Sequence, residues 1–326
     1  MAIEKRSAGN SPSGKQINYK FSGHETFPCR YAWLPKACRA LGETPLIFSD
    51  EEQAMVKLGV GKNMVRAIRF WVQATGIARP AASGGYEITD LGHWLLSPKD
   101  GLDPFLEDRR TLWLLHWKLS TNANDPLFAW NYLLNRWPHL EFTRTEVLEV
   151  FRDEARRLGR GLSVVTLEQH FDVFLHTYVP TRGRKGEIQE ENLDCPLVEL
   201  EFIERAGERQ TANGGRHEAI YKFRREPRLG VTPQLFVFCI DDYWKNRRRT
   251  EQTLSFRDIS IGQGGPGQVF KLTEQDVRER LEALASDSKG AFEYQESASV
   301  QRIIRKKTYS EAAMLRDIYA FEASYA

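Results

Sequence analysis

At 326 residues the chain exceeds one ordinary core, so two or three domains are expected. Its 46 basic and 44 acidic side chains leave a net charge of +2, which excludes no class of partner; the clustering of charge has to decide. Four scattered cysteines, Cys29, Cys38, Cys195 and Cys239, with no C-x-x-C pair, argue against a zinc module and a disulfide scaffold and fit a reducing cytoplasm.

In chain order, residues 1–17 are polar and without an apolar core, which reads as a disordered start and not as a signal peptide. No apolar run later in the chain approaches the roughly 18 residues that a membrane span needs. Next comes Phe21-Ser22-Gly23-His24-Glu25-Thr26-Phe27, a polar centre between aromatic anchors. Held still by Phe21, Phe27, Tyr31 and Trp33, His24 and Glu25 suit proton transfer or a shared divalent metal. The alternative is a structural histidine that satisfies buried backbone groups.

Residues 48–97 carry the pattern of a winged helix-turn-helix. Ser49 with Glu52 fits a capping box that starts a helix at Asp50. A second helix runs from Lys62 to about Thr75. At about 100° per residue, Met64, Val65, Ile68, Trp71 and Val72 fall on one side, and Lys62, Arg66, Arg69 and Gln73 on the other. Two short strands flank a Gly-rich tip, with Arg79 on the first. Residues 53–86 hold Lys57, Lys62, Arg66, Arg69 and Arg79 and no acid, a patch suited to phosphate. A winged helix used for protein contact remains the alternative.

Residues 103–178 read as all helical, a central bundle. Its last helix, from Thr166 to Tyr178, places Glu168, Asp172 and His176 on one face, either as metal ligands or as a solvated surface. The loop at 180–186 is basic, and 187–208 hold eight acids against Arg205. The tail reads as a second, winged-helix-like module of mixed α and β character. It comprises a helix from Pro233 ending in Arg247, Arg248 and Arg249, a glycine turn at 262–267, a helix capped by Thr273, and a hairpin exposing Arg302, Arg305, Lys306 and Lys307. The glycine turn lacks the order of a nucleotide P-loop. The fold expectation is therefore a mainly α, α+β chain divided at 18–97, 98–180 and 181–326.

The stretch FSGHETFPCRYAWLPKA resembles the opening of a bacterial family of formerly unknown function. That family is typified by the B component of the Ssp single-stranded DNA phosphorothioate-modification systems. Glu168–Tyr178 (EQHFDVFLHTY), Asn192–Leu200 (NLDCPLVEL) and the tail from Phe256 to Tyr309 resemble it too. The resemblance implies a DNA-nicking protein working beside a cysteine desulfurase, an ATPase and a sulfurtransferase-like partner.

Two functions stay open. One is a DNA-binding nickase, possible as a metal-dependent endonuclease using magnesium or manganese, with His24, Glu25 and Asp172 as catalytic and metal-ligating candidates. The other is a non-catalytic winged-helix adaptor or regulator, favoured by the lack of PD-(D/E)xK, HNH or GIY-YIG patterns. Nucleic-acid candidates are Arg30, Lys62, Arg66, Arg69, Gln73, Arg79, Arg247, Arg248, Arg302 and Arg305, with Arg30 as a fork for the scissile phosphate. No nucleotide or organic cofactor is expected.

Overall fold

A computed structural model describes residues 17–180, 195–211, 215, 217–248, 250–297 and 299–320. The polar start, the basic loop after Pro180, the acids Glu190, Glu191 and Asp194, and Arg249 lie outside the described residues.

The N-terminal part runs α1 (Trp33–Glu43), α2 (Glu51–Leu58), α3 (Lys62–Ala74), then an antiparallel hairpin of β1 (Ala78–Pro80) and β2 (Tyr86–Ile88), and α4 (Asp90–Leu96). Helix α3 forms because its apolar positions recur at helical spacing. Val65, Ile68, Trp71 and Val72 are buried, and the polar positions face away. The cap of α2 differs from expectation by one residue. Ser49 is used up in the 3-10 turn Ile47–Ser49, so Asp50 becomes the N-cap, accepting from the amides of Glu52 and Gln53 at 3.0 and 3.1 Å.

The centre is built on α5 (Arg109–Thr121), α6 (Phe128–Asn135), α7 (Arg144–Arg157) and α8 (Val164–Tyr178). Ten residues of α5 are buried, on all its sides, so this helix is the axis of the molecule rather than a surface element. His116 on α5 is a satisfied core histidine. Trp130 Nε1 donates to the Tyr178 hydroxyl at 3.0 Å, that hydroxyl donates to His116 Nδ1 at 2.8 Å, and His116 Nε2 donates to the Val269 carbonyl at 3.2 Å.

The stretch 103–178 is not all helical. Glu141–Thr143 forms β3, which pairs antiparallel with β5 (His217–Phe223), and β5 in turn pairs with β4 (Ile203–Gln210). Three residues of strand are too few to show a period, and their partner lies far along the chain. Residues 196–203 form a 3-10 helix (Pro196–Leu200) followed by the start of β4.

The tail holds α9 (Pro233–Arg247), β6 (Thr253–Ser255), α10 (Phe256–Ser260), α11 (Pro266–Phe270), α12 (Glu274–Glu282), α13 (Leu284–Asp287), β7 (Phe292–Glu296), β8 (Gln301–Arg305) and α14 (Glu311–Ala320). Thr273 caps α12 as expected, and β8 lies between β6 and β7 in one antiparallel sheet. The fold is mixed α+β and mainly helical, and buried side chains from Tyr19 to Ile318 form one connected core.

Candidate functional site

The segment around His24 is locked by its aromatic neighbours. Phe21 stacks on Phe128 with ring centres 4.5 Å apart, and the Phe27 carbonyl accepts from Trp71 Nε1 at 3.0 Å. Between them the backbone turns sharply. Glu25 and Thr26 have φ of 51° and 69°, and the Phe27 amide donates to the His24 carbonyl at 2.9 Å. Two left-handed residues in succession are costly without glycine, about 1–2 kcal/mol each. Gly23, at φ 110°, has no such choice, since a Cβ there would come within 2.9 Å of the Phe70 ring.

This turn places His24 in the core, 3% exposed, against a histidine that its local sequence does not point to: His170 of α8. His24 Nε2 lies 3.1 Å from His170 Nδ1, and the rings are nearly parallel, 14° apart. Each outer nitrogen meets an amide donor: Ala129 N is 3.0 Å from His170 Nε2, and Thr26 N is 3.3 Å from His24 Nδ1. Two neutral imidazoles carry one proton each. They cannot accept at both ends and still share a proton between them. The shorter Ala129 contact sets the tautomers. His170 carries its proton on Nδ1 and donates to His24 Nε2, so His24 is protonated on Nδ1, and the long Thr26 contact yields. Burial lowers the His24 pKa to about 4, and burial together with His24 lowers that of His170, so the pair is neutral at pH 7.

Asp172 lies two residues further along α8, away from this pair. Arg144 holds both its oxygens, with Nη2 3.1 Å from Oδ2. The face holding Glu168, Asp172 and His176 thus meets an arginine of α7, and the His176 pKa is lowered by burial. Glu25 is half-buried, and its charge bears on Arg66 of α3. His24, Glu25 and Asp172 are therefore not brought together. Among the described residues no group of three or more histidine, cysteine or acidic side chains is placed to hold a metal. The four cysteines are buried, and none forms a disulfide among the described residues. With His24 Nε2 engaged by His170, its Nδ1 protonated, and Asp172 claimed by Arg144, these residues do not fit a divalent ion in this arrangement.

The basic residues are matched by acids that their local windows omit. Glu51 pairs with both Lys62, at 3.0 Å, and Arg66, at 2.7 Å, and its pKa falls to about 2 through those hydrogen bonds. Arg79 pairs with Glu87 at 2.5 Å, and Gln73 donates to Asp125 at 2.8 Å. In the tail, Arg248 meets Asp258 at 3.0 Å. Arg305 turns inward to Asp241 at 3.0 Å and lies over the rings of Trp244 and Phe292. Arg30 lies over Phe27 and Trp33. Arg69, Arg247 and Arg302 form no ion pair among the described residues; Arg302 reaches the Gln295 amide oxygen.

His170 was within reach of the sequence. It falls at helical spacing between Leu167 and Phe174, a polar residue in the apolar stripe of α8, and such a residue needs a partner when buried.

No curated protein matches this chain. Two solved structures are similar along most of it. An SspB crystal structure is 26% identical with a TM-score of 0.76, over 93% of this chain and 88% of that one. A magnesium ion-bound SspB crystal structure is 28% identical with a TM-score of 0.74, over 87% and 82%. These bear out the resemblance carried by the FSGHETF stretch and the later segments. With a family model matching residues 21–319, the chain belongs to the family described as protein of unknown function (DUF4007).

Proposed function

We propose that this chain is the DNA-nicking component of an Ssp-type phosphorothioate-modification system. It would bind DNA beside an ATPase, a sulfurtransferase-like protein and a cysteine desulfurase in the cytoplasm. One observation carries the reading: the likeness to SspB extends over most of both chains. No helix among the described residues is long and apolar enough to cross a membrane.

Within this reading the turn at Gly23–Phe27 is the first place to seek the chemistry. Its strained backbone is held by Phe21, Phe70 and Trp71 and presents Glu25 and Thr26 outward. His24 acts there through Nδ1–H, as a donor that steadies the turn or an oxygen of the strand. Arg69, Arg247 and Arg302 supply phosphate contacts, and Lys62, Arg66, Arg79, Arg248 and Arg305 do so after exchange of their acidic partners. Asp172, released by Arg144, is the second place for a catalytic carboxylate.

A non-catalytic adaptor is the competing reading. It is favoured by the engagement of His24 with His170 and of Asp172 with Arg144. A supercoiled-plasmid assay with and without magnesium separates the two. Nicking that survives in Arg302→Gln but is lost in Glu25→Ala supports the first reading. Wild-type protein that binds the plasmid and leaves it supercoiled under both conditions supports the second.

A further inference from the structure

Glu154 of α7 serves two guanidinium groups. Arg136 Nη2 is 2.8 Å from its Oε2 and Arg157 Nη1 is 2.6 Å from its Oε1. Close by, Arg160 bonds the neutral side chain of Asn18. Arg247, the last residue of α9, makes no hydrogen bond or ion pair among the described residues, and its Nε is buried without an acceptor. The cluster gathers around Tyr19, whose hydroxyl donates to Asn131 and feels the charges of Arg136, Arg247 and Glu154. Gly264, at φ 81°, closes another side; a Cβ there would stand 3.7 Å from Arg247 Nε. A cleft of about 250 Å³ opens beside Tyr19, lined also by Ile17, Asn18, Leu158 and Arg160.

Two guanidinium groups thus share one carboxylate while Arg247 bears on the same Tyr19 and Arg160 lines the cleft beside it, and most basic residues elsewhere among the described residues are paired. Helix ends explain part of this. Arg136, Arg157, Arg160 and Arg247 sit at or just past the C-termini of α6, α7 and α9, where cations are favoured. Each such end is worth roughly half a negative charge, so three ends and one carboxylate still leave a positive excess. Nor does a helix dipole supply an acceptor for a buried Nε–H.

We infer that this cluster is a phosphate-binding site in which Arg247, with Arg136, Arg157 and Arg160, takes the oxyanion of a phosphodiester or a free phosphate. A guanidinium presents parallel donors that match two phosphate oxygens, and here Arg247 has a buried Nε–H with no acceptor while Arg160 lines the neighbouring cleft. The inference rests on the DNA reading only for the phosphodiester source.

The test is a titration with inorganic phosphate against sodium chloride at equal ionic strength, following the Arg247 Nε–Hε signal by NMR. Arg247→Gln identifies that signal by its loss. A saturable shift with phosphate and none with chloride is expected, together with a several-fold weaker midpoint in Arg160→Gln at unchanged melting temperature. In a second arm, a single-stranded oligonucleotide lacking terminal phosphates is bound across a salt series. If it is the source, Arg247→Gln lowers the salt slope by about 1. A phosphate response with an unchanged oligonucleotide slope assigns the site to a small phosphate. Wild-type protein that binds no oligonucleotide but still responds to phosphate sinks the DNA reading and leaves the site standing. No saturable shift, or an equal shift with chloride, overturns the inference. If Arg247→Gln does not fold, the Arg160→Gln midpoint against wild type decides between the same outcomes.

Discussion

A histidine read as a catalytic candidate lies in a buried pair, and that has a thermodynamic consequence. Burial lowers the His24 pKa from 6.5 to about 4. Between those values the unfolded chain binds the proton and the folded chain refuses it, so stability rises with pH across this window and is lost as pH falls through it. The expected loss from His24 alone is about 3 kcal/mol between pH 6.5 and 4. Chemical denaturation at a series of pH values should show it, with a shallower slope in His24→Gln; a flat profile in wild type would refute it. Lys271 runs by the same logic at higher pH. Its ammonium is buried, bonded to the Leu134 carbonyl at 2.7 Å, and burial lowers its pKa from 10.5 to about 7. The folded chain sheds this proton before the unfolded one does, so stability should rise from pH 7 towards 10, by up to about 4 kcal/mol, and that rise should flatten in Lys271→Met. His24 could be singled out from seven residues because its anchors are local. His170 stood out only as a polar residue in an apolar stripe, and its pairing with His24 was not legible, because 146 positions separate them and only packing brings them near.

At the scale of elements, α3 has the shape expected of it and a different charge. The 53–86 window contains no acid, yet Glu51, two positions outside it, occupies Lys62 and Arg66 together. One carboxylate on a neighbouring helix was invisible to a count along the chain. If α3 faces DNA, Glu51 competes with phosphate for both cations. Glu51→Gln should therefore raise affinity for a non-specific duplex, and Lys62→Ala with Arg66→Ala and Arg69→Ala should lower it and reduce the salt slope. Fluorescence anisotropy at several salt concentrations measures both. Equal affinity of Glu51→Gln and wild type would mean that DNA docks elsewhere, Arg247 and Arg302 being the next candidates. The helices α3, α7, α8, α9 and α12 were legible because periodicity and caps are short-range signals. The sheet β3-β5-β4 was not, since its registers join Phe142 to Tyr221 and Arg205 to Tyr221, and no local window contains such pairs.

On the scale of the whole molecule, the N-terminal segment is a strap that joins helices far apart in sequence. Lys20 bridges to Leu127, its amide donating to the Pro126 carbonyl and its carbonyl accepting from the Phe128 amide, at 2.9 and 3.0 Å. Tyr19 bonds Asn131 on α6, Phe21 stacks on Phe128, His24 meets His170 on α8, and Phe27 accepts from Trp71 on α3. Residues 19–27 are therefore shared between the helix–hairpin part and the central bundle, within one connected core. Independent domains divided at 18–97, 98–180 and 181–326 would melt separately; a shared strap predicts a single transition. Phe21 is the residue to test, being 4% exposed and free of polar duties. Phe21→Ala should cost about 3–5 kcal/mol through lost burial and the cavity left behind. Its effect should lower the melting temperature of the whole chain, with far-UV circular dichroism and tryptophan fluorescence staying coincident, because Trp71, Trp113 and Trp244 lie in different parts of the core. Two separated transitions in the variant, or a fluorescence change that precedes loss of helix, would show that the strap joins units that fold independently.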